Sequence, residues 1–158
     1  MCILGAKEVK VMINIRVMTI DDYDEVYQLW INTPGMGLNS TDDSRAGIEK
    51  YIKRNPTTCF VAETESKIVG VIMAGHDGRR GYIYHTAVSS DYRNQGIGKR
   101  LVNSALSALD QEGINKAALV VFERNEIGNE FWSYIGFTER DDLIYRNKNI
   151  HVLDRIDT

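Results

Sequence analysis

Alternating and helical spacings of apolar residues along the chain predict an ordered series of strands and helices. Apolar and polar side chains alternate over residues 13–17, as they do in a half-buried strand. Thr19 then precedes two acids, which is a helix-start signature, and residues 32–39 contain the Pro, Gly and Asn that are typical of a loop. The helix between these points would bury one face made of Tyr23, Val26, Tyr27 and Trp30.

A second helix and three strands are predicted next. The helix would be capped within residues 40–43 and end near Arg54. A hairpin signal at Asp77-Gly78 separates two of the strands. The predicted strands cover 58–64, 68–74 and 81–88.

The remaining sequence predicts two more helices and three more strands. One helix has apolar residues every four positions from Ile97 and ends at Gly113, a glycine suited to the C′ position. The apolar run 116–122 predicts a central strand, because strands buried on both faces lose the alternating pattern. The next helix, over 125–134, would turn inward Ile127, Phe131 and either Tyr134 or Ile135. Strands are predicted over 137–140 and 143–147, followed by a polar end that frays.

Composition and charge narrow the class of protein. The 158 residues suffice for one domain with a hydrophobic core, and 43% hydrophobic and 26% charged residues are ordinary for a soluble globular protein. A net charge of -3 argues against broad electrostatic binding of nucleic acid. The only cysteines are Cys2 and Cys59, and the three histidines lack metal-ligand spacing, so we expect neither a disulfide framework nor a metal site.

The ends of the chain carry no targeting pattern that we recognise. No apolar run approaches the ~18 residues of a membrane span, and the first residues do not resemble a signal peptide. We therefore expect a cytoplasmic protein without membrane contact. We divide the chain into an N-terminal extension over 1–11, expected to be disordered, one domain over 12–150 and a C-terminal tail over 151–158.

The glycine-rich segment 88–101 connects a predicted strand to a predicted helix and reads V-S-S-D-Y-R-N-Q-G-I-G-K-R-L. The first N–H groups of a helix lack intrahelical partners and attract anions. Gly96 and Gly98 let a ligand approach the backbone closely, and Arg93 and Lys99 add positive charge. The segment therefore predicts a site for a phosphate or pyrophosphate.

Two common nucleotide-binding patterns fail in this segment. A Walker loop would need Gly at Arg93 and Ser or Thr at Arg100. A dinucleotide fingerprint would need Gly or Ala at Leu101. The failed Walker pattern disfavours an NTP-binding domain.

The pattern that remains is R-x-x-G-x-G after a strand that ends in A-V, followed later by Asn125 and E-I-G-N-E-F-W-S-Y-I-G-F. The first part resembles the acetyl-CoA-binding motif of the GNAT superfamily of N-acetyltransferases, Q/R-x-x-G-x-G/A. The second resembles the family's N-x-x-A-x-x-F-Y-x-x-x-G-F helix. The resemblance covers residues 12–149. It implies an α/β (α+β), single-domain fold with a central, mixed, mostly antiparallel, twisted sheet flanked by helices on both faces.

The resemblance also implies an N-acetyltransferase that moves an acetyl group from acetyl-CoA, as co-substrate, to a primary amine of a small molecule or protein. Direct attack is expected, because Cys59 lies on a different strand from the loop and no cysteine is placed to carry the acetyl group. Loop N–H groups would hold the pyrophosphate, and a backbone N–H at the end of the entering strand would bind the thioester carbonyl. The residues carried over for CoA are Ala87, Val88, Arg93, Asn94, Gln95, Gly96, Ile97, Gly98, Lys99, Asn125 and Trp132.

The catalytic base and acid are less clear from the sequence. Family members often place Glu or His at the positions of Tyr82 and Tyr84. Alternation puts Tyr82, Tyr84 and Thr86 on one face and His85 on the other. We therefore expect Tyr84 to order a water or the substrate, and His85 to be structural unless a bulge reverses its direction. Trp132 stands where the family commonly has the Tyr that protonates the thiolate, and indole is no acid.

The acceptor cannot be identified from the sequence. The resemblance implies that residues 33–44 and the final hairpin line its pocket. Asp42 and Asp43 could attract a cationic amine, but we expect them to be first-turn acids of the second helix. A homodimer is left open. The alternative function is a non-catalytic acyl-CoA-binding sensor or regulatory module, which Trp132 and the missing Glu base favour.

Overall fold

The computed structural model describes residues 11–65 and 67–158, so the predictions for 1–10 lie outside the described residues. Two short 3-10 helices, Ile20–Asp22 and Ser90–Tyr92, accompany the main elements. The strands are β1 (Asn14–Val17), β2 (Leu38–Asn39), β3 (Phe60–Thr64), β4 (Lys67–His76), β5 (Gly81–Val88), β6 (Ala117–Ala118) and β7 (Arg155–Ile156). The α-helices are α1 (Tyr23–Ile31), α2 (Arg45–Arg54), α3 (Ile97–Gln111) and α4 (Glu126–Tyr134).

Five strands form one mixed sheet in the order β1-β3-β4-β5-β6. Neighbouring strands are antiparallel from β1 to β5, and β6 pairs with β5 in parallel. The prediction of a mixed, mostly antiparallel sheet is confirmed. β2 and β7 form a separate antiparallel pair.

Helices cover both faces of the sheet, as predicted. On one face, Val71 and Met73 of β4 pack in a core with Trp30 of α1 and Ile48 of α2. On the other face, alternate β4 residues such as Ile72 pack in a second core against α3. Because β4 is buried on both faces, its sequence is almost entirely apolar.

The segment after α3 differs from the prediction. Residues 116–122 form only the two-residue strand β6, at the edge of the sheet rather than its centre. The run leaves β5 after Ala118, and Val120 is 59% exposed. The predicted strands over 137–140 and 143–147 are absent from the described residues. The apolar run 116–122 predicts a strand but does not specify its pairing partner. Because only two of its residues pair with β5, β6 gives the later segments little strand to pair with.

The face that α4 buries was predicted correctly only in part. Ile127 and Tyr134 are 70% and 80% exposed, whereas Phe131, Trp132 and Ile135 pack against the α3 core. Phe131 and Ile135, the alternative to Tyr134, are inward as predicted, and Trp132 packs beside them where Ile127 was expected. Within the described residues, no helix is long and apolar enough to cross a membrane.

The C-terminal residues pair with another part of the chain instead of fraying. Leu38 lies opposite Ile156 and Asn39 opposite Arg155. The N–H of Ser40 also donates to the carbonyl of Asp154 at 2.8 Å. The segment before α2 is thereby tied to the end of the chain.

Candidate active site

A cleft opens where β5 and β6 separate. The N–H of Gly81 donates to the carbonyl of Lys116 at 2.9 Å, and the pairing ends at Tyr82 and Ala118. Beyond that point lies a cleft of about 810 Å³. Its walls are residues 82–86 of β5, residues 119–123, one side of α2, and the segment that precedes α2.

A β-bulge in β5 turns His85 into this cleft. The pairing of β4 with β5 passes from Val71–Ala87 directly to Met73–Tyr84, so one residue of β4 lies opposite two of β5. His85 takes a φ of 45°, in the left-handed region that few residues adopt. Tyr84 and His85 both line the cleft. The expectation that alternation points His85 away is therefore wrong, and the bulge is the reason.

Asp43 holds the imidazole of His85. The distance from His85 Nε2 to Asp43 Oδ1 is 2.6 Å, and Asp43 is only 4% exposed. Asp43 Oδ2 accepts the N–H of Asn39 at 2.7 Å, and the carbonyl of His85 accepts the indole N–H of Trp30 at 3.1 Å. With its proton on Nε2, a neutral imidazole presents Nδ1 as an acceptor. A base oriented by a carboxylate is a recurring catalytic arrangement.

The structure also corrects the position of the two acids before α2. The N-cap of α2 is Ser44, whose side chain accepts the N–H of Gly47 at 3.1 Å. Asp42 and Asp43 therefore precede the helix rather than forming its first turn. Serine is as good a cap as aspartate, so the sequence alone could not place this boundary.

Tyrosine side chains form one wall of the cleft. The ring centroids of Tyr82 and Tyr84 are 4.7 Å apart, and Tyr51 of α2 meets Tyr84 edge-on at 5.9 Å. Burial, assisted by Tyr145 and Asp42, raises the pKa of Tyr84, and burial raises the pKa of Tyr82 to about 12. Both hydroxyls therefore stay protonated at neutral pH, which suits binding and ordering rather than proton abstraction.

The predicted CoA loop lies at the start of α3, outside the cleft. Gly96 is the N-cap, with a φ of 76°, and a Cβ at this position would meet nothing within 4 Å. The side chains of Arg93 and Lys99 are exposed beside it. Open backbone, a helix N-terminus and two cations fit a pyrophosphate.

The edge of β5 offers a backbone donor between the loop and the cleft. The N–H of Ser89 donates to the carbonyl of Val69 at 2.8 Å, towards β4. Alternation along the strand turns the N–H of Val88 to the opposite edge. Within the described residues, β6 pairs with β5 only at Gly81 and Tyr82, so that edge is open beside Val88.

α4 connects the loop with the cleft. A Cβ on Gly98 would lie 3.1 Å from the ring of Phe131, and the rings of Phe131 and Trp132 are 5.1 Å apart. Trp132 lines the cleft. So does Asn125, whose side chain also caps α4 by accepting the N–H of Gly128 at 3.0 Å. Of the predicted CoA residues, Asn125 and Trp132 line the cleft, whereas the loop residues 93–99 lie outside it and Ala87 is buried in the core.

Comparison with known proteins identifies the family. A family model described as the acetyltransferase (GNAT) family matches residues 23–137. The chain belongs to the GNAT family of acetyltransferases. Acetyltransferase SG1711 of Sodalis glossinidius is 31% identical to this GNAT protein over 136 residues, covering 86% of this chain and 94% of that protein. The chain is accordingly an acyltransferase.

Solved structures share the GNAT fold. The PaiA N-acetyltransferase from Thermoplasma acidophilum, in complex with coenzyme A, is 17% identical with a TM-score of 0.70, covering 91% of this chain and 97% of that one. An aminoglycoside N-acetyltransferase in complex with CoA is 18% identical with a TM-score of 0.68, covering 90% and 99%. At these identities the similarity to the solved structures concerns the fold alone. The family resemblance predicted from the loop and the 125–137 segment is confirmed by the family model and the relatives.

Proposed function

We propose that this GNAT protein is an N-acetyltransferase that moves the acetyl group of acetyl-CoA to a primary amine by direct attack. The observation that carries the proposal is the bulge that turns His85 into the opening between β5 and β6. His85, held by Asp43, then lies in the cleft, and the open N-terminus of α3, which would bind the phosphates, follows β5.

Acetyl-CoA supplies the acetyl group as a thioester, so the amine nitrogen bonds to the carbonyl carbon, the C–S bond breaks, the amine loses a proton and the sulfur gains one. The loop from Arg93 to Lys99 would bind the pyrophosphate through its N–H groups and cations. The N–H of Val88 would stabilise the negative charge that develops on the carbonyl oxygen. Trp132 would pack beside the acyl group, and Asn125 would bind the pantetheine arm, whereas Ala87 is buried in the core with Trp30 and would contribute only its backbone.

His85 would accept the proton of the amine at Nδ1, and Asp43 would keep the other nitrogen protonated. Tyr84 would hold the amine or a water beside the imidazole. Trp132 cannot donate an acidic proton, so the leaving sulfur would take its proton from water. Direct attack is supported by Cys59, because it is buried outside the cleft and burial raises the pKa of its thiol to about 12.

Thiol release from acetyl-CoA in the presence of a panel of amines tests the proposal. We expect the substitution His85→Ala to lower kcat by about 10²–10⁴-fold, the usual contribution of a general base, with CoA binding retained. Added imidazole should restore part of the turnover. Pyrazole has the same ring size but is a far weaker base, and it should not restore turnover.

Three results would contradict parts of this mechanism. If imidazole and pyrazole restored the turnover of the His85→Ala variant equally, the role of His85 would be packing rather than proton transfer. Unchanged turnover of the His85→Ala variant would remove His85 from the reaction. Tight CoA binding without thiol release on any amine would favour the sensor or regulatory module.

A further inference from the structure

One face of α2 brings two cations to the cleft. Gly47, Lys50, Tyr51 and Arg54 line the cleft, at spacings that share one helix face. Lys53 does not line the cleft, and its ammonium pairs with Glu49 at 3.2 Å. Among the described residues, neither Lys50 nor Arg54 has a carboxylate within ion-pair distance.

The acids lie at the other end of the same cleft. Asp42 and Asp43 precede α2, and Asp43 holds His85. Phe122 and Glu123 line the opposite wall, and the ring of Phe122 lies beside Gly37 of the segment before α2, 3.3 Å from the position of a Cβ on that glycine. The cleft is therefore acidic beside His85 and basic along the second half of α2.

The C-terminal half of α2 lies next to the β4–β5 hairpin, away from the CoA loop. A Cβ on Gly75, near the end of β4, would lie 2.5 Å from the hydroxyl of Tyr51. At a rise of 1.5 Å per residue, Lys50 and Arg54 are roughly 9 and 15 Å along the helix from Ser44. An acceptor that reaches from His85 towards the hairpin would place its distal end beside these cations.

We infer that the acceptor is an amine that also carries an anionic group, a carboxylate or a phosphate, several bonds away from the amine. The amine would lie between His85 and Asp42, and the anionic group would lie beside Lys50 and Arg54. The tyrosine wall would cover the apolar chain between them. A polycationic amine would instead place a second ammonium against two cations. This inference rests on the proposed N-acetyltransferase function.

A matched set of acceptors tests the inference with acetyl-CoA and the full chain. The set is 8-aminooctanoate, 8-aminooctanamide and 1,8-diaminooctane, which share a chain length and differ in the charge of the distal group. We expect kcat/KM for the carboxylate to exceed that for the neutral amide about tenfold, since each of the two exposed charge pairs contributes a factor of about three, and to exceed that for the diamine by more, because the two cations repel its distal ammonium. Phosphorylated amines of similar length distinguish phosphate from carboxylate as the preferred anion.

Charge reversal on α2 supplies the controls. The double variant Lys50→Glu, Arg54→Glu should reverse the preference towards the diamine, whereas Lys53→Glu, on the other face of the same helix, should leave it unchanged. An equal or higher rate with the diamine in the wild type would overturn the inference, as would an unchanged preference in the double variant. If no acceptor releases thiol, the proposed function fails, and NMR titration of the three acceptors still decides the charge preference.

Discussion

The substitution Asp43→Asn tests whether the carboxylate sets the protonation of His85. The carboxylate of Asp43 accepts one hydrogen bond from the N–H of Asn39 at 2.7 Å and, with the imidazole proton on Nε2, a second from His85 at 2.6 Å. The Asn side chain has one acceptor and one donor group of the same shape. If its oxygen keeps the N–H of Asn39, its NH₂ faces His85 and requires Nε2 to become an acceptor. The proton of the neutral imidazole then moves to Nδ1, which removes the base from the cleft.

The expected effects on rate and on folding differ in size. Loss of the base should reduce kcat by about 10²–10⁴-fold, because the contribution of general-base catalysis is removed. One charged hydrogen bond is replaced by a neutral one, so we expect unfolding free energy to fall by about 1–3 kcal/mol. Most molecules would therefore still be folded, and KM for acetyl-CoA should change little, because the loop at α3 is distant from Asp43.

Thiol-release kinetics and denaturant unfolding measure the two effects separately. Asp42→Asn is the matched control, because Asp42 is exposed and its carboxylate accepts one local hydrogen bond, from the side chain of Asn39. We expect it to leave kcat within about threefold of the wild type and to raise KM for the amine instead, because Asp42 would lie beside the bound amine. The double variant Asp43→Asn, His85→Ala should be no slower than His85→Ala alone, since the two residues act as one unit.

A kcat of Asp43→Asn close to that of the wild type would contradict the proposed role of Asp43, because turnover would then not depend on the tautomer of His85. Additive losses in the double variant would also count against it. In that case Asp43 would act independently of His85, for example by holding the segment before α2.

The two other predictions concern the loop and the stability of the fold. Gly96→Asp should weaken CoA binding about tenfold or more by placing a negative charge at the proposed anion site. Gly113→Asp is the control, because Gly113 has a similar φ of 77° and equally open surroundings at the other end of α3, and it should leave CoA binding unchanged. Calorimetric titration of CoA compares the two variants. Asp22→Asn should lower the unfolding free energy by about 3 kcal/mol at pH 7, because Asp22 accepts two hydrogen bonds from Arg16 at 2.8 and 2.9 Å. Burial raises the pKa of Asp22, but its hydrogen bonds with Arg16 and the N–H of Thr19 outweigh burial and leave the pKa lowered. The stabilisation by Asp22 is therefore present at neutral pH and is lost as the pH falls below about 4. Chemical unfolding across pH should show the difference in unfolding free energy between wild type and variant shrinking in that range. Equal CoA affinity of the two glycine variants, or a pH-independent effect of Asp22→Asn, would contradict these predictions.

Local sequence patterns predicted the elements of the proposed pyrophosphate site. β5, the loop and α3 follow one another along the chain, and both the bounds of β5 and the helix end at Gly113 agree with the prediction. Such features depend on contacts between near neighbours, which periodicity and glycine positions encode.

The acceptor half of the site depends on contacts that periodicity does not encode. Nothing in the alternating pattern of β5 marks the bulge, and the contact between His85 and Asp43 joins residues that are 42 positions apart. The 137–147 segment is apolar enough for strands but has no partner strand in the described structure. In both cases the outcome is set by tertiary geometry rather than by the propensity of the segment.

The pairing of β2 with β7 makes the segment before α2, which forms one wall of the cleft, locally less stable than the central sheet. Each strand has only two residues, and the pairing brings together Leu38 and Ile156 from distant parts of the chain. Few hydrogen bonds therefore compensate for the entropy lost when the two segments are held together. β5, which carries His85, instead pairs with β4 in the middle of the sheet. We therefore expect amide hydrogens of β2 and β7 to exchange with solvent faster than those of β4 and β5. The wall proposed to contact the acceptor would thus open without unfolding the sheet, and acceptors of different size could then enter.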